Sequence, residues 1–418
     1  MLTLQLSALN LTNVPARLRH GVEKGFAVCS LLFLPASEVV WQGNILAVYA
    51  VTLLILASHW RTVLVLLSAT WPVLLPVLVA ACSVLWSVDP QLSLYRTIAL
   101  AGTTAFGIFL ALRFSAEGQL RLLALVLGVV AFASTLLSLL LPEYGVMTGP
   151  HSGAWSGVFF HKNSFGRIMA LTTLVFFLLL MGAREMRPIA LSGIALSIAL
   201  VLASLSQASL IVAIACLTGA GVLSAVQRFP RRKRLAVLFV GAMVAAFAAV
   251  WAVQREESIL GSLGRDPTFT GRTELWTVLL EKARVHPWLG YGYGAFWRGA
   301  TGMSGEVQQA LQGWYPIHAH NGFLDLVLEL GIVGLLIFLV PLSIYGYRTY
   351  SWGIAQPFPL CLWPVMYLLF LVLSNLAESA LVRQNNIYWV LYVAAVLTVN
   401  RQQERLYETP RSYGRGLL

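Results

Sequence analysis

The run LRLLALVLGVVAFASTLLSLLL at 120–141 carries one charge, Arg121, and carries it at the end. About 20 apolar residues suffice to cross the ~30 Å of a bilayer core as a helix, because each residue rises ~1.5 Å. In lipid every backbone polar group must bond within the structure, so only helices or a closed barrel can span. The run is continuous rather than alternating, which selects a helix. Similar runs recur near 26–41, 43–59, 62–86, 94–113, 163–182, 188–205, 208–226, 235–253, 321–346, 357–375 and 383–399. The expectation is an all-α polytopic membrane protein with about twelve transmembrane helices.

Composition agrees. The chain has 418 residues, 58% hydrophobic and 11% charged, with a mean hydropathy of +0.77. A soluble domain carries roughly a quarter charged residues. Cys29, Cys82, Cys216 and Cys361 each lie inside an apolar run and form no C-x-x-C pair, so neither a disulfide framework nor a thiolate metal site is expected. No cleavable signal peptide stands out, since the first apolar run begins near Gly25.

Placing the N-terminus in the cytoplasm puts 18 of the 28 Lys and Arg on that side. Among these is the run RFPRRKR (228–234), read as a topology anchor rather than a nucleic-acid patch. Nine helices then occupy 1–254, an external loop 255–320, three helices 321–400 and a cytoplasmic tail 401–418. The loop is far longer than the ~15 residues beyond which loops are usually functional or disordered, and its aromatic content argues against disorder. Within it, 272–285 reads as a helix lying along the membrane surface. Leu275, Trp276, Leu279, Leu280 and Ala283 form its apolar stripe, and Pro287 stops it.

Chemistry-bearing residues gather around this loop. In HAHNGFLDLVLEL (318–330), Asn321 is an N-cap candidate, and Asp325 and Glu329 share one helix face. His318 and His320 sit at the mouth of the span. An imidazole titrates near neutral pH, so one of them suits a general base. Interfacial hydrogen bonding and metal binding by H-x-H are the other readings, but no further ligand nearby completes a metal site. Glu329 and Glu378 are the next proton acceptors in line. Arg272 opens its helix, Lys162 stands at the top of a span in FFHKNSFG (159–166), and Arg383 lies near the last span. Guanidinium forks and helix N-termini favour phosphate, whereas snorkelling to the interface is the plain alternative. In HPWLGYGYGAFW (286–297) the glycines permit close backbone approach, and aromatics such as Tyr293 could stack on sugars or sit in the interfacial belt. With three aspartates in all, no D-x-D pair exists to hold a nucleotide sugar through a metal, and no P-loop or dinucleotide signature appears. The energy for transfer must then arrive in the substrate.

Together with WSVDPQLSLYRT (86–97), LSQASL (205–210), GRTELW (271–276) and NLAESALVRQNNIYW (375–389), these segments resemble the O-antigen ligase and Wzy-type polymerase superfamily. The likeness is greatest to its exopolysaccharide polymerase (ExoQ-like) branch. It implies a GT-C-like glycosyltransferase at the periplasmic face of the bacterial inner membrane, needing neither cofactor nor metal. The donor would be an oligosaccharide on undecaprenyl pyrophosphate, with a flippase and a chain-length regulator as partners. The implied base is His320 and the implied loop arginine Arg272. His318, Lys162, Arg383, Asn321, Trp276 and Tyr293 are the further substrate contacts. Ligases of the superfamily often carry an arginine after the S-x-S-like stretch, where Gln207 and Ala208 stand here. Repeat-unit polymerisation is the favoured activity, with ligase-type transfer of a finished glycan and lipid-linked glycan transport as rivals.

The charge count yields a topological test. Single cysteines placed in 255–320 of a cysteine-free variant should react with an impermeant maleimide on intact spheroplasts. Arg232→Cys should react only after permeabilisation, and labelling of it in intact spheroplasts would reverse the topology.

Overall fold

The computed structural model describes residues 16–34, 43–230, 272–312, 315–356 and 359–412. All regular elements among them are helical: α1 (Ala16–Phe33), α2 (Gly43–Ser58), α3 (Trp60–Thr70), α4 (Leu75–Cys82), α5 (Pro90–Arg113), α6 (Ala116–Leu140), α7 (Pro142–Gly145), α8 (Lys162–Gly182), α9 (Arg187–Ala203), α10 (Gln207–Arg228), α11 (Arg272–Val285), α12 (Gly302–Ala310), α13 (Gly322–Ala355), α14 (Trp363–Asn375) and α15 (Ile387–Ser412). Seven helical stretches are long and apolar enough to cross a membrane, and two shorter apolar helices cover Ile45–Ser58 and Pro359–Asn375. The chain is a multi-pass membrane protein. The expected span 235–253 lies outside the described residues, as does the end of the span expected at 26–41.

Several expected boundaries move, the span expected to end at 346 running on to Ala355, and three of the shifts have a clear physical reason. The first helix begins at Ala16, ten residues before the apolar run. Its polar turn is stabilised by the buried Glu23, which accepts from Arg113 at 2.8 Å. The span expected at 62–86 is continuous in direction but tightens to a 3₁₀ turn at Trp71–Leu74, next to Pro72 and Pro76. The last helix starts at Ile387 rather than 383, leaving Arg383–Asn386 in the preceding loop.

The membrane half of α15 is the axis of the bundle. Trp389 through Leu397 are almost wholly buried against α5 and α14. Polar side chains tie helices together inside the apolar interior: Trp389 donates to Thr104 (2.8 Å), Gln119 to Thr398 (2.6 Å) and Thr173 to Ser197 (2.9 Å). Leu54, Leu64, Val65 and Leu78 remain exposed on the outside, as lipid-facing residues should.

One span is broken. α13 is interrupted at Gly331, whose φ is +69° and ψ −171°. The backbone groups freed there are taken up by the glycine-aromatic strip. Ile332 N–H donates to the Pro287 carbonyl (2.8 Å) and Val333 N–H to Trp288 (3.2 Å). In return, Tyr291 and Gly292 donate to Leu328 and Glu329 (both 2.9 Å). Irregular backbone at a membrane span is tolerated only when protein re-satisfies it. The strip therefore serves first as a docking edge. Tyr291 and Phe296 are buried with Leu275, Leu279 and Leu328 in a small core under the loop. α11 matches its expected range, but Leu280 faces outward, 50% exposed, and is no part of the stripe.

Docking makes a sharp demand on Gly290. Its φ is +65°, and a Cβ there would lie 2.6 Å from the Glu329 carbonyl carbon. Gly299 also has a positive φ (+68°) but nothing within 4 Å. Gly290→Ala should thus cost the clash on top of the left-handed strain of about 1–3 kcal/mol, and Gly299→Ala the strain alone. Thermal melting in detergent should rank them that way. Equal shifts would rule out the docked strip.

Candidate functional site

The starts of α5, α8, α10, α13 and α15 meet at one end of the bundle with the ends of α6, α9 and α14. There a single carboxylate collects groups from three segments. Glu378, 5% exposed, lies in the turn after α14. Its Oε1 accepts from Asn163 Nδ2 at 2.8 Å and lies 3.3 Å from His320 Nδ1 and 3.6 Å from Arg272 Nη2. His318 Nε2 is 3.7 Å from Oε2. Burial opposes ionisation of this carboxyl, but the His320 hydrogen bond and the neighbouring positive charge, Arg167 included, hold it well below the usual carboxylate range.

Local geometry fixes the two imidazoles. The backbone N–H of His320 donates to His318 Nδ1 at 3.2 Å, which leaves the His318 proton on Nε2. Burial keeps His318 neutral, its pKa pushed well below the ordinary value. His320 itself sits at φ +50°, a left-handed conformation rare for a residue with a Cβ. Non-glycine residues held there cluster at active sites. Two contacts to Ala319, between the histidines, impose it. Trp276 Nε1 donates to the Ala319 carbonyl (2.8 Å), and the Ala319 N–H donates to Asp325 (3.1 Å). Asp325 is in turn held by Trp297 Nε1 at 2.7 Å. With His320 Nδ1–H aimed at Glu378, its lone pair belongs to Nε2, the tautomer of a base oriented by a carboxylate.

The structure thus brings together His320, His318, Arg272 and, through Ala319, Trp276. Asn321 caps α13, its Oδ1 accepting from Phe323 and Leu324 (3.1 and 3.2 Å). Lys162 starts α8 beside Asn163 and donates to the Leu205 carbonyl at 3.1 Å, bridging to LSQASL. Gln207, where ligases often have an arginine, begins α10 and is exposed. Arg383 and Tyr293 stand elsewhere. Tyr293 is 1% exposed, and its hydroxyl donates to the Val382 carbonyl at 2.7 Å, so it props the Arg383 segment from beneath. Arg383 lines a cavity of ≈ 280 Å³ together with Arg96, Trp297, Asp325, Glu329 and Gln384.

Three residues were not singled out by sequence reasoning. Asn163 lies inside FFHKNSFG, next to the Lys162 that the motif reading favoured. His161 caps α8, accepting from the Asn163 N–H (3.2 Å), and burial pushes its pKa down to about 4. Arg167 follows Asn163 by four residues, hence one turn deeper on the same helix face. It is 8% exposed and lies over the Tyr388 ring at 4.3 Å. Among the described residues its Nε and Nη1 have no hydrogen-bond partner. A lone arginine within an apolar span was the available signal. The donor atoms of His318, His320 and Glu378 also lie within 4.8 Å of one another, close enough for a cation. A cation there would compete with Asn163 and Arg272 for the same carboxylate oxygen.

Comparison with known proteins agrees with the motifs. Residues 192–339 match the family model described as O-Antigen ligase. Over 352 residues, 80% of this chain and 77% of the relative, the chain is 29% identical to the exopolysaccharide production protein ExoQ of Rhizobium meliloti. Over 79 residues, 18% of this chain and 19% of the relative, it is 33% identical to a Rickettsia felis protein named "Putative polysaccharide ligase". The family match and the similarity across four fifths of the chain bear out the resemblance read from the motifs: this membrane protein is similar to the O-antigen ligase family over residues 192–339 and to an exopolysaccharide production protein over most of its length.

Proposed function

We propose that the protein polymerises glycan repeat units carried on undecaprenyl pyrophosphate, by metal-independent inverting transfer at the periplasmic face of the bacterial inner membrane. The observation that carries this reading is the His320–Glu378 pair at the mouth of a span, with Arg272, Lys162 and Arg167 around it. His320 Nε2 takes the proton of the acceptor hydroxyl as its oxygen attacks the anomeric carbon from the face opposite the leaving group. The bond from that carbon to the pyrophosphate oxygen breaks, and the lipid pyrophosphate departs with the electron pair. Glu378 orients His320 and stabilises the imidazolium. The cationic side chains meet the charge growing on the leaving group, and fixed charges in a water-poor site need little reorganisation to do so. Arg167 brings two N–H groups that lack an acceptor among the described residues, which phosphate oxygens would supply.

In this reading 255–320 is the external catalytic loop and 401–418 a cytoplasmic tail. A flippase would deliver the substrate and a chain-length regulator would act on the product. The Rickettsia name and the family description favour a second reading, ligase-type transfer of a finished glycan. Deleting the gene separates the two. Single repeats accumulating on lipid support polymerisation, whereas full-length chains left on lipid support ligation.

The mechanism makes a quantitative claim in a reconstituted assay with a lipid pyrophosphate-linked donor. His320→Ala should lower turnover by at least ~100-fold, the lower bound for a positioned base, and His318→Ala by less. Retention of more than about a tenth of turnover by His320→Ala would remove it as base. Arg272→Lys should still impair the enzyme, because an ammonium cannot reproduce a forked phosphate contact. EDTA should leave activity intact, and a strict need for a divalent ion would instead assign His318, His320 and Glu378 to a metal. Glu378 has a depressed pKa, so its ionised form is present above the ordinary carboxylate pKa of ~4.3 and is lost only in stronger acid. Any loss of activity between pH 5 and 7 should therefore persist unchanged in its shape in Arg272→Lys, which leaves Glu378 in place.

A further inference from the structure

The cavity that holds Arg383 has no part in the steps above, yet it shares its wall with the base. Pro316 and Ile317 precede His318, Gly322 follows Asn321, and Ser379 through Gln384 follow Glu378; all line the cavity. The two compartments are thus neighbours across the His318–Asn321 and Glu378–Ser379 backbone.

Their charge differs. Around Glu378 one carboxylate faces Arg272 and the nearby Arg167 and Lys162, an excess of positive charge suited to a pyrophosphate. In the cavity two guanidinium residues, Arg96 and Arg383, are matched by two carboxylic residues, Asp325 and Glu329. A multiply charged phosphate gains little from a balanced wall. A sugar hydroxyl both donates and accepts, and it matches a wall that mixes carboxyl, guanidinium and amide groups. Asp325 is already spent on Trp297 and Ala319, and this fixes the Trp297 indole as an aromatic wall. Arg96 donates to the Gly294 carbonyl. Gln384 Oε1 lies 2.9 Å from the Tyr293 hydroxyl and the Glu329 carboxyl takes a backbone hydrogen bond from Gly294, so the Arg383 guanidinium, the Gln384 amide N–H groups and the second Glu329 oxygen are the groups most able to turn to a ligand. The volume of ≈ 280 Å³ falls at the low end of the ~300–1,000 Å³ usual for small-molecule sites, a size for one or two sugar rings rather than a chain.

We propose that this cavity is the acceptor subsite, taking an uncharged pyranose of the glycan that receives the transfer and holding it apart from the donor phosphates. The assignment rests on the glycosyl-transfer reading above and adds the division of the site by charge. It also moves Arg383 from the phosphate contacts to the sugar contacts.

Direct binding tests it without turnover. The probe is a set of oligosaccharides from partial acid hydrolysis of the cell's own surface glycan, titrated calorimetrically into the full-length protein in detergent. The wild type should bind saturably. Arg383→Ala and Glu329→Gln should weaken binding about tenfold or more, as expected for the loss of one charge-assisted hydrogen bond. Arg272→Lys, which keeps a cation opposite Glu378, should bind like the wild type, and excess inorganic pyrophosphate should not displace the sugar. Arg383 is exposed at the rim, so its truncation leaves the core alone. Weakening by Arg383→Ala with retention in Arg272→Lys supports the subsite even if Glu329→Gln misfolds. No saturable binding by the wild type, unchanged affinity in Arg383→Ala, or displacement by pyrophosphate each overturns it. Failure of the polymerase reading shows elsewhere, in the glycans of the deletion strain.

Discussion

A carboxylate that is 5% exposed at the mouth of an apolar bundle needs compensation from all sides. An ion taken out of water is costly unless it is paired and hydrogen-bonded, and removing one partner of a buried pair typically costs 3–5 kcal/mol. Glu378 meets that demand with Asn163 from α8, Arg272 from α11 and the two histidines ahead of α13. Its own backbone carbonyl accepts from Gly322 at 3.1 Å. The span Gly322–Ala355 and the turn after α14 are thereby locked to each other. Gly322 has no room for a side chain, since a Cβ would lie 2.3 Å from Asn375 Oδ1. The ends of four helical segments are therefore positioned around one anion, and the arrangement of the two imidazoles follows from satisfying it.

The same anion sets what the site can accept. It neutralises part of the surrounding positive charge but not all, so the compartment remains attractive to phosphate and repels a second carboxylate. The left-handed His320 is the other half of this arrangement. Its strained backbone is held by Trp276 and Asp325 through Ala319, so strain at His320 is supported by residues from α11 and from α13 alike.

Much of this was legible in the sequence. Long apolar runs announced helices because lipid leaves the backbone no alternative, and α11 and the Asn321 cap followed from local rules. What escaped depended on tertiary contact. The polar start of α1 is helical because Arg113, some ninety residues on, compensates Glu23. Glu378 stood in the sequence only as a fallback proton acceptor, since nothing local says that three other segments converge on it. Arg383 was grouped with the phosphate ligands because it falls on the same side of the membrane, whereas its carboxylic neighbours, Asp325 and Glu329, come from α13, far away in sequence. Tyr293 offered an aromatic ring to sequence reasoning, but its burial could not be read there.

The break at Gly331 bears on how the chain is made. The strip 286–297 leaves the ribosome before the span that receives it, so its amide groups wait, hydrated, until 328–333 arrive. Conversely, the arriving span exposes unpaired backbone groups at its break until it meets the strip. Neither part can complete its hydrogen bonding alone. Insertion of the two halves of α13 and folding of the 286–297 strip must therefore finish as one event, late in synthesis, and the compartments around Glu378 can close only when it does.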